Sequence, residues 1–393
     1  MISVEEAISI VRNSIVKTSE TDVIPIGSAS GYVLSEDVIS PIDMPPFRQS
    51  AMDGYALNLD DTTAYEIIAE IKAGDTSLPQ LNKGQAARIF TGAAVPRTAN
   101  AIAIQEHVIA ENSKLTLEKE VAIGANIRGQ GEQVKKGQLA LAEGSVINPA
   151  AIGFLASLGI SKIAVYTKPS VAIVTTGNEL IPAGTPLKPG EIYESNAIML
   201  ESAMRRCNYT KVSTYKVKDN YQKTVSLIGE LKTKYDFIII TGGISVGDYD
   251  FVGKALEELE VTPLFYKVKQ KPGKPLYFGK TGKNFIFALP GNPAASLSCF
   301  YNYVLAGLEL ASGNTDFSLP RIKARSKSNY LKKGDRAQFL KAHYHQDEVS
   351  ILDGQSSSML HTFAIANALV YLPEDTFEIK VKDEVEVIML PIN

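Results

Sequence analysis

Between residues 169 and 310, short apolar runs alternate with amphipathic stretches of helical period, and no other feature of the 393-residue sequence constrains its fold as much. Runs at 171–175, 211–217, 237–240 and 285–289 read as strands. Stretches at 197–206, 221–232, 251–259 and 294–310 read as helices; the second carries Val225, Ile228 and Leu231 on one face. Such sustained alternation predicts a doubly wound α/β domain built on a mostly parallel sheet.

The flanks have a different texture. Residues 41–148 are short β-prone segments separated by turn residues such as Ala73-Gly74-Asp75, Lys83-Gly84, Lys136-Gly137 and Glu143-Gly144, and 319–393 returns to the same pattern. Near the N-terminus, Val4, Ile8, Val11 and Ile15 recur at helical spacing, runs at 22–26 and 31–38 look strand-like, and 149–157 reads as an apolar helix before a strand at 163–166. The expected division is a discontinuous helix/strand domain of 1–40 with 138–170, a β-rich domain of 41–137, the α/β domain of 171–318 and a C-terminal β domain of 319–393.

Composition excludes several function classes. Forty Lys and Arg against 43 Asp and Glu leave a net charge of −3, which argues against a strongly basic nucleic-acid binder. Cys207 and Cys299 stand alone, so neither a disulfide framework nor a Cys-type zinc site is expected. Glu5 and Glu6 fall where a signal peptide would be basic and then apolar, and the greasiest stretch, 149–160, is interrupted by Gly153, Ser157 and Gly159. A soluble, cytoplasmic protein is the expectation. His343 and His345 share a strand face opposite Leu340, Ala342 and Tyr344, which makes them solvent-facing rather than a metal pair.

Ligands of open α/β sheets bind beyond the carboxyl ends of the strands. Three of those ends carry unusual loops: Thr176-Gly177-Asn178-Glu179, then Thr241-Gly242-Gly243-Ile244-Ser245-Val246-Gly247-Asp248-Tyr249-Asp250, then Pro290-Gly291-Asn292-Pro293. The middle loop sets glycines and a serine ahead of a helix N-terminus, a setting that favours an anion, although glycines also serve simple tight turns. In the third, Asn292 can cap a helix and Pro293 can begin it. Lys269-Gln270-Lys271-Pro272-Gly273-Lys274-Pro275 adds three lysines on a proline-stiffened loop, either solvated or poised for an anion. The candidate acids are Asp53, far earlier in the chain, and Glu179, Asp219, Asp248 and Asp250 in or between these loops; each taken singly also reads as a cap, a turn former or a solvated acid. Carboxylates beside an anion cradle repel the ligand unless a hard divalent ion such as Mg²⁺ lies between them.

Assembled, these residues resemble the molybdopterin molybdenumtransferase family, bacterial relatives of the gephyrin E domain. The resemblance runs the length of the chain, through Gly31-Tyr32-Val33-Leu34, Pro45-Pro46-Phe47, Ser50-Ala51-Met52-Asp53-Gly54-Tyr55-Ala56, Phe90-Thr91-Gly92-Ala93, Gly131-Glu132, Gly190-Glu191-Ile192-Tyr193, the three strand-end loops, the lysine loop and Gly354-Gln355-Ser356-Ser357. So many motifs in one order make a specific signal. The resemblance implies a multidomain α/β plus β protein, an elongated homodimer whose central domain is similar to the molybdopterin adenylyltransferase fold. It implies an enzyme that inserts molybdate into the dithiolene of adenylylated molybdopterin with release of AMP, dependent on Mg²⁺.

Residue by residue, it implies catalytic roles for Asp53, Glu179, Asp219 and Asp250, with Mg²⁺ on Glu179 and Asp250. Molybdopterin and its phosphate would meet Thr91, Gly242, Gly243, Ser245, Gly247, Asp248, Pro290, Gly291, Asn292 and Pro293. Molybdate would meet Ser245, Lys271, Lys274, Pro275, Arg336 and Ser357, and Asp53 would reach the partner protomer's site. The family's Gly-Glu-Asp is here Gly131-Glu132-Gln133, and its Tyr-Asp-Ser/Thr-Asn is Tyr193-Glu194-Ser195-Asn196, which keeps the charge on a longer arm. Two alternatives compete: adenylyl transfer from ATP to molybdopterin, and a non-enzymatic scaffold like the receptor-anchoring gephyrin relative. The adenylyltransferases' Thr-Gly is absent after Thr241-Gly242-Gly243, and the chain has no docking segment or long linker.

Overall fold

A computed structural model describes residues 1–244 and 251–391. They form two compact units, one of Met1–Asp22, Gly31–Val33 and Tyr166–Asn393, the other of Val23–Ser30 and Leu34–Val165.

In the first unit the apolar runs become strands. Val171–Thr176 lies between Val212–Val217 and Phe237–Thr241, and the latter pairs with Asn284–Leu289, all in parallel. Every residue of Val171–Thr176 and Phe237–Thr241 is buried, which is why these runs are continuously apolar rather than alternating. Alternate side chains serve opposite cores. Val171, Ile173 and Ile239 pack with Leu200 and Met204 of the Asn196–Arg206 helix, while Ala172, Val174 and Ile240 pack with Ile228, Leu231 and Val252.

Two strands were not expected. Thr262–Tyr266 and Tyr277–Thr281 extend this sheet antiparallel, making it six-stranded and mixed. Exposed Thr262 and Pro263 hide the apolar signature of the first, which is the sheet's edge strand, and Gly279 interrupts that of the second. The helix expected at 294–310 forms as Pro293–Cys299, a π-helical turn at Phe300–Val304 and a final stretch at Leu305–Ala311.

The N-terminal helix, Val4–Ser14, starts with Ser3 Oγ accepting the Glu6 N–H at 3.0 Å. Its buried Val4, Ala7 and Val11 join the core that holds Ile173 and Phe237, rather than residues 138–170 as the sequence grouping had it. The tail builds a second six-stranded sheet from Arg321–Ser326, Ala337–His345, Glu348–Ile351, Ala368–Leu372 and Glu384–Met389. Its sixth strand is Gln270–Lys271 of the lysine loop, paired with Ala337 and Gln338, so the loop is anchored in the tail sheet. Within it, Arg321–Ser326 carries no apolar run because charges alternate through it. His343 and His345 are exposed, as expected.

The second unit holds a six-stranded sheet in the order Ala101–Ile104, Gly54–Leu57, Gln85–Ile89, Ala64–Ile71, Lys114–Leu117, Val108–Glu111. Its helix, Pro149–Ser157, is capped by Asn148, whose Oδ1 accepts the Ala151 N–H at 2.8 Å. The strand-like run at 31–38 reduces to isolated pairings and the short Val38–Ile39 strand. No helix among the described residues is long and apolar enough to cross a membrane.

Candidate active site

The three strand-end loops of the α/β domain converge because their glycines allow it. Gly242 and Gly243 have φ of +82° and +63°, and a Cβ on Gly243 would lie 2.6 Å from Thr176 Oγ1 and 2.8 Å from Val252 Cγ2. Gly242 and Gly243 thus lie flat on the end of the neighbouring strand. A Cβ on Gly291 would lie 3.5 Å from the Gly242 Cα, so the third loop closes on the second. Asn196, the first residue of its helix, ties the cluster together: its Nδ2 donates to the Gly291 carbonyl at 2.8 Å and to Thr241 Oγ1 at 3.3 Å.

These loops enclose a cavity of about 550 Å³ in which Glu179 and Asp219 face the glycine cradle. Asp219 is held by a reciprocal pair: the Asn178 N–H donates to Asp219 Oδ2 at 3.2 Å, and the Asp219 N–H donates to Asn178 Oδ1 at 3.3 Å. Glu194, the longer acid, accepts the Ala197 N–H at 2.9 Å and so supports the start of the Asn196 helix. Buried Thr176 Oγ1 and Asn196 Oδ1 have no hydrogen-bond partner among the described residues.

A second cavity, of about 510 Å³, shares Pro275, Pro290 and Asn292 with the first. Its lining is cationic, with Lys271 and Lys274 from the lysine loop and Arg336 from the tail domain, which also contributes Ser357. Lys269 takes the local acids, reaching Asp335 at 3.4 Å and Glu374 at 3.0 Å. No ion pair to Lys271, Lys274 or Arg336 occurs among the described residues. Three cations lining one cavity, none of them in an ion pair among the described residues, suit a compact oxyanion.

Buried Gln270 holds this lining in place. Its carbonyl accepts from Arg336 Nη1 at 3.2 Å, its Nε2 donates to the Gly273 carbonyl at 3.1 Å, and its Oε1 accepts the Tyr303 hydroxyl. Asn292, which sequence offered as a helix cap, makes no capping bond; its Nδ2 donates to Ser357 Oγ at 2.9 Å across the cavity mouth.

Of the residues singled out by sequence, the first cavity gathers Glu179, Asp219, Gly242, Gly243, Pro290, Gly291 and Asn292, and the second gathers Lys271, Lys274, Pro275, Arg336 and Ser357. Pro293 begins its helix and lines neither. Ser245, Gly247, Asp248 and Asp250 lie outside the described residues. Asp53 and Thr91 belong to the other unit. There the Thr91 N–H and hydroxyl both donate to Asp53 Oδ1 at 2.7 Å, and these bonds, the hydroxyl foremost, hold the Asp53 carboxyl below the usual carboxylate range. No cluster of three or more His, Cys, Asp or Glu able to hold a metal occurs among the described residues. Sequence reasoning gave no role to Asn196 or Gln270. The place of Asn196 at a helix start beyond a strand could have signalled it; Gln270, whose Tyr303 partner lies 33 residues on, leaves no local signal.

Comparison with known proteins bears on the whole chain. Residues 2–159 match the MoeA N-terminal region (domains I and II), residues 172–309 a probable molybdopterin binding domain, and residues 323–390 the MoeA C-terminal region (domain IV). A molybdopterin molybdenumtransferase of Staphylococcus epidermidis is 31% identical, the alignment covering 100% of this chain and 96% of that protein. The molybdopterin molybdenumtransferase 2 of Mycobacterium tuberculosis is 33% identical over 93% and 94% of the two chains. The crystal structure of a molybdopterin biosynthesis MoeA protein from Pyrococcus horikoshii, 29% identical, superposes with a TM-score of 0.85 over 99% of this chain and 100% of that one. With loops, cavities and full-length likeness in agreement, the chain belongs to the molybdopterin molybdenumtransferase (MoeA) family.

Proposed function

We propose that this protein inserts molybdate into the dithiolene of adenylylated molybdopterin, with release of AMP. The observation that carries the reading is the adjacency of an acid-and-glycine cavity and a cationic cavity across Pro275, Pro290 and Asn292. A phosphoanhydride and an oxyanion are both anions, yet they need different surroundings. The backbone of Gly242, Gly243 and Gly291 can approach a phosphate closely, while Lys271, Lys274, Arg336 and Ser357 offer charge and hydroxyl to molybdate.

Of the expected Mg²⁺ ligands, Glu179 lines the first cavity and Asp250 lies outside the described residues; Asp219, which lines the same cavity, is a second oxygen donor of the kind that suits Mg²⁺, an ion content with one or two carboxylates completed by water and substrate phosphate. Bound there, Mg²⁺ would draw charge from the leaving phosphate. The chain's own residues fix Asp219 through Asn178 and hold the cradle through Asn196. We further propose that the working form is a homodimer in which Asp53, kept ionised by Thr91, completes the site of the partner protomer. A cytoplasmic location accords with this substrate.

The test is incubation with adenylylated molybdopterin, molybdate and Mg²⁺ with ATP withheld. The reading expects molybdate-dependent AMP release. No AMP release would overturn it, favouring adenylyl transfer if ATP then modifies molybdopterin and a scaffold if it does not.

A further inference from the structure

On the Ala337–His345 strand, Lys341 is 3% exposed. Its ammonium donates to three main-chain carbonyls, those of Gly354 at 2.6 Å, Met359 at 2.8 Å and Ser356 at 3.2 Å. Three carbonyls use every donor an ammonium possesses. No carboxylate pairs with it among the described residues, and burial alone pushes its pKa down. The main chain reinforces the arrangement: the Lys341 N–H donates to Gln355 Oε1 at 2.9 Å, and Gln355 Nε2 donates to the carbonyls of Lys341 at 2.8 Å and Leu352 at 2.7 Å. Residues 354–359 are therefore a turn wrapped around one cation.

That turn is also a wall of the cationic cavity, to which Gln355, Ser356 and Ser357 contribute. Ser357 reaches across it, its Oγ accepting from Asn292 Nδ2 at 2.9 Å and its carbonyl from the Ala295 N–H at 3.3 Å. A neutral side chain of similar length would fill the space but withdraw the ammonium from all three carbonyls: Gly354 would keep only the Thr362 hydroxyl at 3.3 Å and Ser356 only the Met359 N–H at 3.1 Å, while Met359 would be left with no donor among the described residues, and the turn would open to find water.

We infer that Lys341 is a positioning residue of the oxyanion cavity, fixing Ser357 through the carbonyl cage of the 354–359 turn and setting an acid-free positive charge behind the wall. The inference rests on the proposed reading of that cavity as the molybdate site. Lysine was not singled out here by sequence because its partners arrive from 13 to 18 residues later, around a turn.

The experiment compares wild type with Lys341→Met and Lys341→Arg in the full chain, reading amide hydrogen exchange at 354–359, molybdate affinity and adenylylated-molybdopterin affinity. In Lys341→Met the turn's exchange rises and molybdate binds about tenfold more weakly, while the pterin binds as in wild type. Lys341→Arg, which keeps the charge, recovers most of the molybdate affinity. Unchanged exchange, unchanged molybdate affinity, or equal loss of both ligands in Lys341→Met overturns the inference. Wild type that binds no molybdate, with exchange still raised in Lys341→Met, instead overturns the oxyanion reading and leaves the hold on the turn standing. Should Lys341→Met not fold, Gln355→Ala loosens the same turn, and wild-type molybdate affinity in that variant overturns the inference.

Discussion

A carboxylate takes its charge state from the donors around it, and at Asp53 both donors come from one residue. Because the Thr91 hydroxyl and N–H stabilise the ionised form, the Asp53 carboxyl keeps its charge further into acid than an isolated aspartate. Thr91→Val removes the hydroxyl and keeps the N–H, so the Asp53 pKa should rise toward the usual range. A carboxyl-carbon NMR titration of the two proteins reads this directly, and an unmoved midpoint would contradict it. Glu179 offers a parallel case for catalysis. It is exposed, has no side-chain hydrogen bond or ion pair among the described residues, and lines the first cavity. Glu179→Ala should therefore melt like wild type yet lose Mg²⁺-dependent AMP release; undiminished turnover at saturating Mg²⁺ would remove it from the site.

At the scale of elements, the lysine loop functions because a helix seats it. Gly273 has φ of +90°, and a Cβ there would lie 2.5 Å from Cys299 Sγ and 3.0 Å from Gln270 Nε2. Gly273→Ala should cost about 1–3 kcal/mol through overpacking, read by urea denaturation. Adding Cys299→Ala makes room at the thiol, so the double variant should lose less than the two single losses added; strict additivity would show that the two positions do not press on each other. The same elements mark what sequence can and cannot convey. Buried parallel strands such as Phe237–Thr241 were legible because burial on both faces leaves a continuous apolar run, and Pro149–Ser157 because Asn148 and Pro149 announce it. Thr262–Tyr266 and Arg321–Ser326 were not, because an edge or half-solvated strand mixes charge and proline into its pattern. In the site, the glycine loops and the lysines were readable as local motifs. The residues that hold them, Asn196, Gln270 and Lys341, were not, since each acts through partners brought near only by folding.

For the whole molecule, the two anion-binding cavities are the central claim and the shared dimer site its extension. If Asp53 serves the partner protomer, inactive Asp53→Ala mixed with inactive Glu179→Ala should regain activity, because one site of each mixed dimer collects both lesions and the other neither. With free exchange about half the dimers are mixed, so roughly a quarter of wild-type activity is expected. A mixture that exchanges subunits and stays inactive would return Asp53 to its own chain. The division of labour between the cavities is tested most directly by titrating molybdate and adenylylated molybdopterin separately into wild type, Lys274→Ala and Arg336→Ala. Losing one charge-assisted hydrogen bond costs about 1.5–3 kcal/mol, so molybdate affinity should fall roughly 10- to 150-fold in either variant while the pterin binds as before. Equal loss of both ligands would mean that these cations hold the substrate's phosphate, and the assignment of the second cavity to molybdate would be wrong.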